Sequence, residues 1–216
     1  MKLLVLVIVF SMAKETFAQS FWIKGGLNLS NILEKDNDDT YSEDYKMKPG
    51  FHFGATAEFP LNEMFSFETG LLLSTKGTKM SEDEDDYSME SKVNLYYLDI
   101  PLNAKASYDI GGAKLFGTFG PYIGMGLSGK SKYEVTYDGE TETEEETLEW
   151  GSDEDNDDVK RFDFGLAVGA GVEIKSFQIG LNYSFGLANI SPDSNDGYKI
   201  NNRVLGISVG YKLGGK

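Results

Sequence analysis

The chain has 216 residues and no cysteine, which fits one domain and removes disulfides, thiolate catalysis and cysteine-based metal sites. A formal net charge of -15 and a pI near 4.4 exclude nucleic acid as a partner, because phosphate contacts need clustered lysine and arginine. Most of the aspartate and glutamate falls between apolar-alternating segments, so the connections carry the charge and the body is close to balanced.

Met1 and Lys2 precede the run LLVLVIVFSM, which is too short to cross a bilayer as a helix and has the length of a secretory signal core. Thr16, Phe17 and Ala18 form a small-any-small cleavage motif, dividing the chain into a signal peptide, residues 1–18, and a domain of residues 19–216. No cysteine follows, so lipoprotein processing is excluded.

Eight strands with period 2 follow. They cover residues 21–29, 51–59, 65 to about 79, 96–108, 115 to about 128, 162–174, 177–187 and 205–212. The sixth is the most legible: Phe162, Phe164, Leu166, Val168, Ala170, Val172 and Ile174 make one row, while the other is small or charged. Pro101 falls inside the fourth strand, where a closed barrel offers no edge to hold it, so a bulge is expected there.

The connections alternate long and short. Acidic loops at residues 34–48, 81–91 and 138–158, with a fourth loop at 189–199, face short turns such as Pro60 to Glu63 and Gly111-Gly112. Tracing strand direction gathers the outward aromatics into two belts. Phe21, Phe59, Phe65, Tyr108, Phe177 and Tyr211 lie at the turn end, and Phe51, Phe53, Tyr96, Phe162, Phe164, Tyr183 and Phe185 at the loop end. A soluble barrel gains nothing from two aromatic belts on its outside, whereas a membrane barrel requires them. The expected fold is an all-β, eight-stranded, antiparallel, up-and-down transmembrane β-barrel, with short periplasmic turns and long acidic extracellular loops.

The start GGLNLSNI, the YLDIPLNAK of the fourth strand, the GPYIGMG of the fifth and the glycine-spaced final hairpin resemble the PorT-like outer-membrane β-barrel family of the Bacteroidetes type. That resemblance covers essentially the whole mature chain and implies a fold more than an activity. It also implies, as one alternative, a component of a protein secretion apparatus.

The inner row holds Lys24, His52, Glu58, Glu68, Lys76, Asp99, Lys105, Arg161, Asp163 and Glu173, the material of an ion-pair network filling a narrow lumen. His52 is the sole histidine, so a two-histidine zinc site is impossible, and no positioned serine or nucleophile motif accompanies it. No catalytic or cofactor-binding residue is assigned, and an outer-membrane enzyme is the least favoured alternative. Asp153, Asp155 and Asp157 have the spacing of a calcium loop, but Asp158 stands where glycine is needed and Phe164 where the bidentate glutamate belongs. An EF-hand-like site is rejected, leaving only loosely bound Ca2+ or Mg2+. The expected partners are outer-membrane lipid, lipopolysaccharide and a protein at the loops, around a monomer whose role is structural or binding.

Overall fold

The computed structural model describes residues 19–41, 45–84 and 87–213; the signal peptide and its cleavage motif lie outside them. Nine strands follow in order: β1 (Ser20–Lys35), β2 (Lys48–Pro60), β3 (Phe65–Glu84), β4 (Tyr87–Asp109), β5 (Lys114–Tyr137), β6 (Glu140–Thr147), β7 (Phe162–Ile174), β8 (Phe177–Gly186) and β9 (Lys199–Leu213). Eight of them close into an antiparallel ring, in the order β1-β2-β3-β4-β5-β7-β8-β9 and back to β1. β6 stands outside the ring and, among the described residues, pairs only with the upper part of β5.

The alternation of side chains explains why the sheet closes with its apolar face outward. Leu27 is 66% exposed and Phe162 64%, and Leu71, Val168, Ile179, Leu181, Ile207 and Val209 are exposed with them. Their inward neighbours are polar and buried: Asn28, Thr56, Ser74, Gln178 and Asn202. Water cannot be the solvent of such an exterior, because burying those side chains would return about 25 cal/mol per Å². Only lipid leaves the arrangement stable, and a closed ring satisfies every backbone group that lipid cannot. Phe177 and Tyr211, paired across β8 and β9 with ring centroids 5.2 Å apart, mark the turn end of the band, and Tyr183 and Phe185 mark the loop end. From Phe177 to Phe185 the strand rises roughly 26 Å, the order of the apolar band of such barrels.

Three expectations need correction. Residues 81–84 and 87–91 and the first part of 138–158 are strand, not loop: β3 and β4 continue to the pair Glu84 and Tyr87, and β5 turns through Asp138-Gly139 into β6. Both turn residues have positive φ, 51° and 83°, the conformation a two-residue type I′ hairpin requires. The third correction concerns Pro101, which stays in register opposite Tyr122; the bulge lies instead where Tyr96 faces Ser128 and Tyr97 faces Gly126, leaving Leu127 over. Pro101 is accommodated by local loss of pairing, since the β3 ladder passes from Thr69–Leu102 to Leu72–Asp99 without a shift and without partners for Ile100 and Pro101.

Candidate functional site

Period 2 turns the charged residues of β1 to β7 into the lumen, and there they form three tiers. Nearest the turns, Lys105 reaches Glu58 at 2.8 Å and Glu173 at 3.7 Å, and Glu58 also accepts from Ser66 Oγ at 2.7 Å and Trp22 Nε1 at 3.3 Å. In the middle, Lys24 pairs with Glu68 at 2.6 Å. Toward the loops, Lys76 bridges Asp99 and Asp163, both at 2.9 Å. Asp163 Oδ2 additionally accepts from the Tyr122 hydroxyl at 3.1 Å and from Asn202 Nδ2 at 3.0 Å, and the Lys76 ammonium lies 4.6 Å and 4.5 Å from the ring centroids of Tyr97 and Tyr122. Each ammonium therefore has a carboxylate, as its burial demands.

Two members of the expected network behave otherwise. Arg161 is exposed at the rim, where it donates to the Gly126 carbonyl at 3.1 Å and lies against Trp150, because β7 begins one residue after it. His52 touches no charge. Its Nδ1 is 2.7 Å from Asn28 Oδ1 and its Nε2 is 2.8 Å from Ser208 Oγ. Asn28 spends its Nδ2 on Phe51 and Thr75 carbonyls and on Ser74, so its Oδ1 is an acceptor. The His52 proton is thereby assigned to Nδ1, and Nε2 faces Ser208 Oγ, whose hydroxyl also lies 3.3 Å from its second acceptor, Asn182 Oδ1. A serine thus does stand beside the histidine, contrary to the sequence expectation. The two residues are 156 positions apart and no local motif announces them.

This serine–histidine–asparagine chain has the order of a hydrolase triad but not its surroundings. It lines a cavity of about 130 Å³ between the middle and upper tiers, together with Lys24, Glu68 and Asn182. That is room for a few waters or one very small organic group. The backbone amides of β1, β2 and β9 around it are committed to the ladders, so none is left to gather into an oxyanion hole.

The loop end of the lumen is closed by a feature the sequence did not announce. Leu95 and Tyr97 of β4 point inward and pack with Val159 and Ile190 from the two loops that precede β7 and β9, flanked by Val93, Leu148, Trp150 and Ile200. The Trp150 ring stands edge-on to Tyr97, with centroids 5.6 Å apart, and fills the space that a side chain at Gly126 would need. Backbone bonds from Lys160 N to Ile190 O at 2.7 Å and from Ile190 N to Ile200 O at 2.9 Å fix this apolar stopper to the barrel. Lys48, read as loop, is buried at the start of β2 and donates to Asn94 Oδ1 at 2.9 Å.

Asp153, Asp155 and Asp157 sit in the exposed turn of the same loop. Asp153 Oδ1 accepts from Asp155 N at 3.0 Å and Asp157 Oδ2 from Asp153 N at 2.7 Å, so two of the three carboxylates serve the loop's own backbone. Among the described residues no group of three or more acidic or imidazole side chains is gathered to hold a metal ion.

A closed ring with an apolar exterior, a polar lumen and two aromatic belts is the arrangement of an outer-membrane barrel, and the sequence pattern of the outer membrane protein beta-barrel domain family matches residues 17–191. The chain belongs to that family. As an outer membrane beta-barrel domain protein it resides in the cell outer membrane. Among solved structures it is similar to Ail, the attachment invasion locus protein of Yersinia pestis, at 17% identity over 92% of this chain and 100% of that one, with a TM-score of 0.35. Neisserial surface protein A is similar at 12% identity over 89% and 97%, with a TM-score of 0.42. The outer membrane protease OmpT of Escherichia coli is similar at 10% identity over 93% and 99%, with a TM-score of 0.27. No curated protein matches the chain.

Proposed function

We propose that this outer membrane beta-barrel domain protein is a closed barrel whose work is recognition on the extracellular side, with neither transport nor catalysis. The observation that carries the reading is the double closure of the lumen, by three ion-pair tiers and by the Trp150 stopper, beneath strands that run on past the aromatic belt. A sealed interior leaves the projecting part as the surface available to other molecules. The long connections then face outward from the cell and the short turns face the periplasm, the orientation usual for such barrels. On this reading the Ser208–His52–Asn28 chain is a hydrogen-bonding element of the packed lumen, which the small cavity beside it and the committed backbone amides around it support. The PorT-like resemblance of the barrel strands favours a second, narrower reading, in which the recognised partner is a component or cargo of a secretion apparatus.

Photocrosslinkers placed at Tyr133 and Glu144 in the native outer membrane test this, with Leu181 on the lipid face as control. Defined protein adducts from the first two and lipid adducts from the third are expected, together with the absence of steady channels in planar bilayers. Large steady channels, or a projecting part that traps nothing, would overturn the reading.

A further inference from the structure

The parts of β3, β4 and β5 that run beyond the loop-end belt form, with β6, a four-stranded wing whose two faces are unlike. On the face continuous with the lipid side the charges other than Asp83 are paired within the sheet. Lys79 and Lys92 both hold Glu90, Lys130 holds Glu145, and Lys132 lies 2.6 Å from Glu134. Hydrogen bonds from Lys79 and then Lys92 keep the Glu90 carboxyl below the usual range.

The face continuous with the lumen is different. Register aligns four rungs across it: Glu84-Tyr87-Tyr137-Glu140, Glu82-Met89-Val135-Glu142, Met80-Ser91-Tyr133-Glu144 and Thr78-Val93-Ser131-Glu146. A tyrosine, methionine and valine strip runs down the middle, with Tyr137 67% and Tyr133 40% exposed. Glutamates border it on both sides, and among the described residues no lysine or arginine pairs with Glu82, Glu84, Glu140, Glu142, Glu144 or Glu146. β6 is also an edge: all eight of its residues are exposed and, among the described residues, its far side has no strand beside it.

From this face and this edge we propose that β6 docks an extended cationic segment of a partner protein, which adds to the wing as a further strand. The proposal rests on the reading that the projecting part is the recognition surface, and it names what that surface takes. Charge and spacing together select the occupant. Glutamates two residues apart on a strand repeat about every 6.7 Å, which matches lysine or arginine at every second position of a neighbouring strand. The stems of such side chains can cross the glutamate row and set their heads over the tyrosine rings. A second copy of this chain is a poor occupant, since β6 against β6 would bring two glutamate rows into direct opposition.

The test uses the full chain in lipid nanodiscs. The probe is a fluorescent peptide of about eight residues alternating lysine and valine, the length of an ordinary strand. Two comparators carry the same composition: one has lysine and valine in separate blocks, and the other is alternating but N-methylated on the amides that would face β6. The alternating peptide should bind, and each comparator should bind at least about tenfold more weakly. The variant E140Q/E142Q/E144Q/E146Q should lose binding by a similar factor, whereas E145Q, on the opposite face, should stay within about twofold; heat-modifiable migration of each variant checks its fold. Equal binding of all three peptides would reduce the surface to diffuse charge and overturn the proposal, as would no binding of the alternating peptide at millimolar concentration. If the peptide fails while wing crosslinks persist, the strand-addition proposal falls and the recognition reading stands. If the crosslinks vanish as well, both fall.

Discussion

Replacing Lys76 with methionine is the sharpest test of how the lumen is held together. The ammonium is 2% exposed and lies 2.9 Å from each of two carboxylates, one of them, Asp163, with no exposure at all. Removing one partner of a buried pair costs about 3–5 kcal/mol, because the remaining charge stays buried without compensation. Here two carboxylates lose their cation and the contacts to the Tyr97 and Tyr122 rings disappear, which places the loss toward the upper end, about 4–5 kcal/mol. The Tyr122 and Asn202 donors to Asp163 remain and keep the loss from growing further. The triple variant K76M/D99N/D163N removes all three charges while preserving shape, and should recover to within about 1–2 kcal/mol of the parent. Guanidinium unfolding in lipid vesicles, followed by heat-modifiable migration, measures both. A K76M variant within about 1 kcal/mol of the parent, or a triple variant as damaged as the single one, would refute the ion-pair account.

The faces are tested by L181R, which should cost roughly 2–4 kcal/mol because arginine must keep its hydration within the apolar band. The inward neighbour substitution Gly180→Ala meets the Ala170 carbonyl at 3.2 Å and Phe116 at 3.3 Å, so it should cost only about 1 kcal/mol; equal damage from both would mean the faces are misassigned. In a W22F background, where Trp150 is the sole tryptophan, G126V should unseat the stopper and shift the fluorescence emission to the red, and an unchanged spectrum would remove Trp150 from the lumen mouth. A fluorophosphonate probe should leave Ser208 unlabelled in the native membrane; labelling that H52A abolishes would convert the hydrogen-bonded chain into a working nucleophile.

What the sequence could tell follows from how far each interaction reaches along the chain. Facing is a local property, so the apolar row from Phe162 to Ile174 and the buried row containing Asp163 were readable from period 2 alone. Pairing is not local: Lys76 and Asp163 are 87 positions apart, on strands that are not neighbours, and parity says that both point inward without saying that they meet. The wing was hidden for another reason. Its acidic composition reads as solvated loop, although Asp138-Gly139 is a strong hairpin signal and the threonines of β6 suit a strand. The stopper gave no signal, because Leu148, Trp150, Val159 and Ile190 stand singly in polar surroundings, with no repeat for a pattern to expose.

The ladder between β1 and β9 runs from Phe21 opposite Leu213 to Lys35 opposite Lys199. It joins the two ends of the described chain, and no other contact can stand in for it. Every partly assembled form must therefore carry two bare strand edges, which a hydrocarbon surround does not tolerate and which invite pairing with other chains. Most of the other ladders join strands that are neighbours in the sequence, so they form over short loops, whereas this seam waits on the longest loop closure in the molecule. Assembly is consequently all-or-none: a product truncated before β9 is not a smaller barrel but an open sheet, exposed to degradation until the last strand arrives.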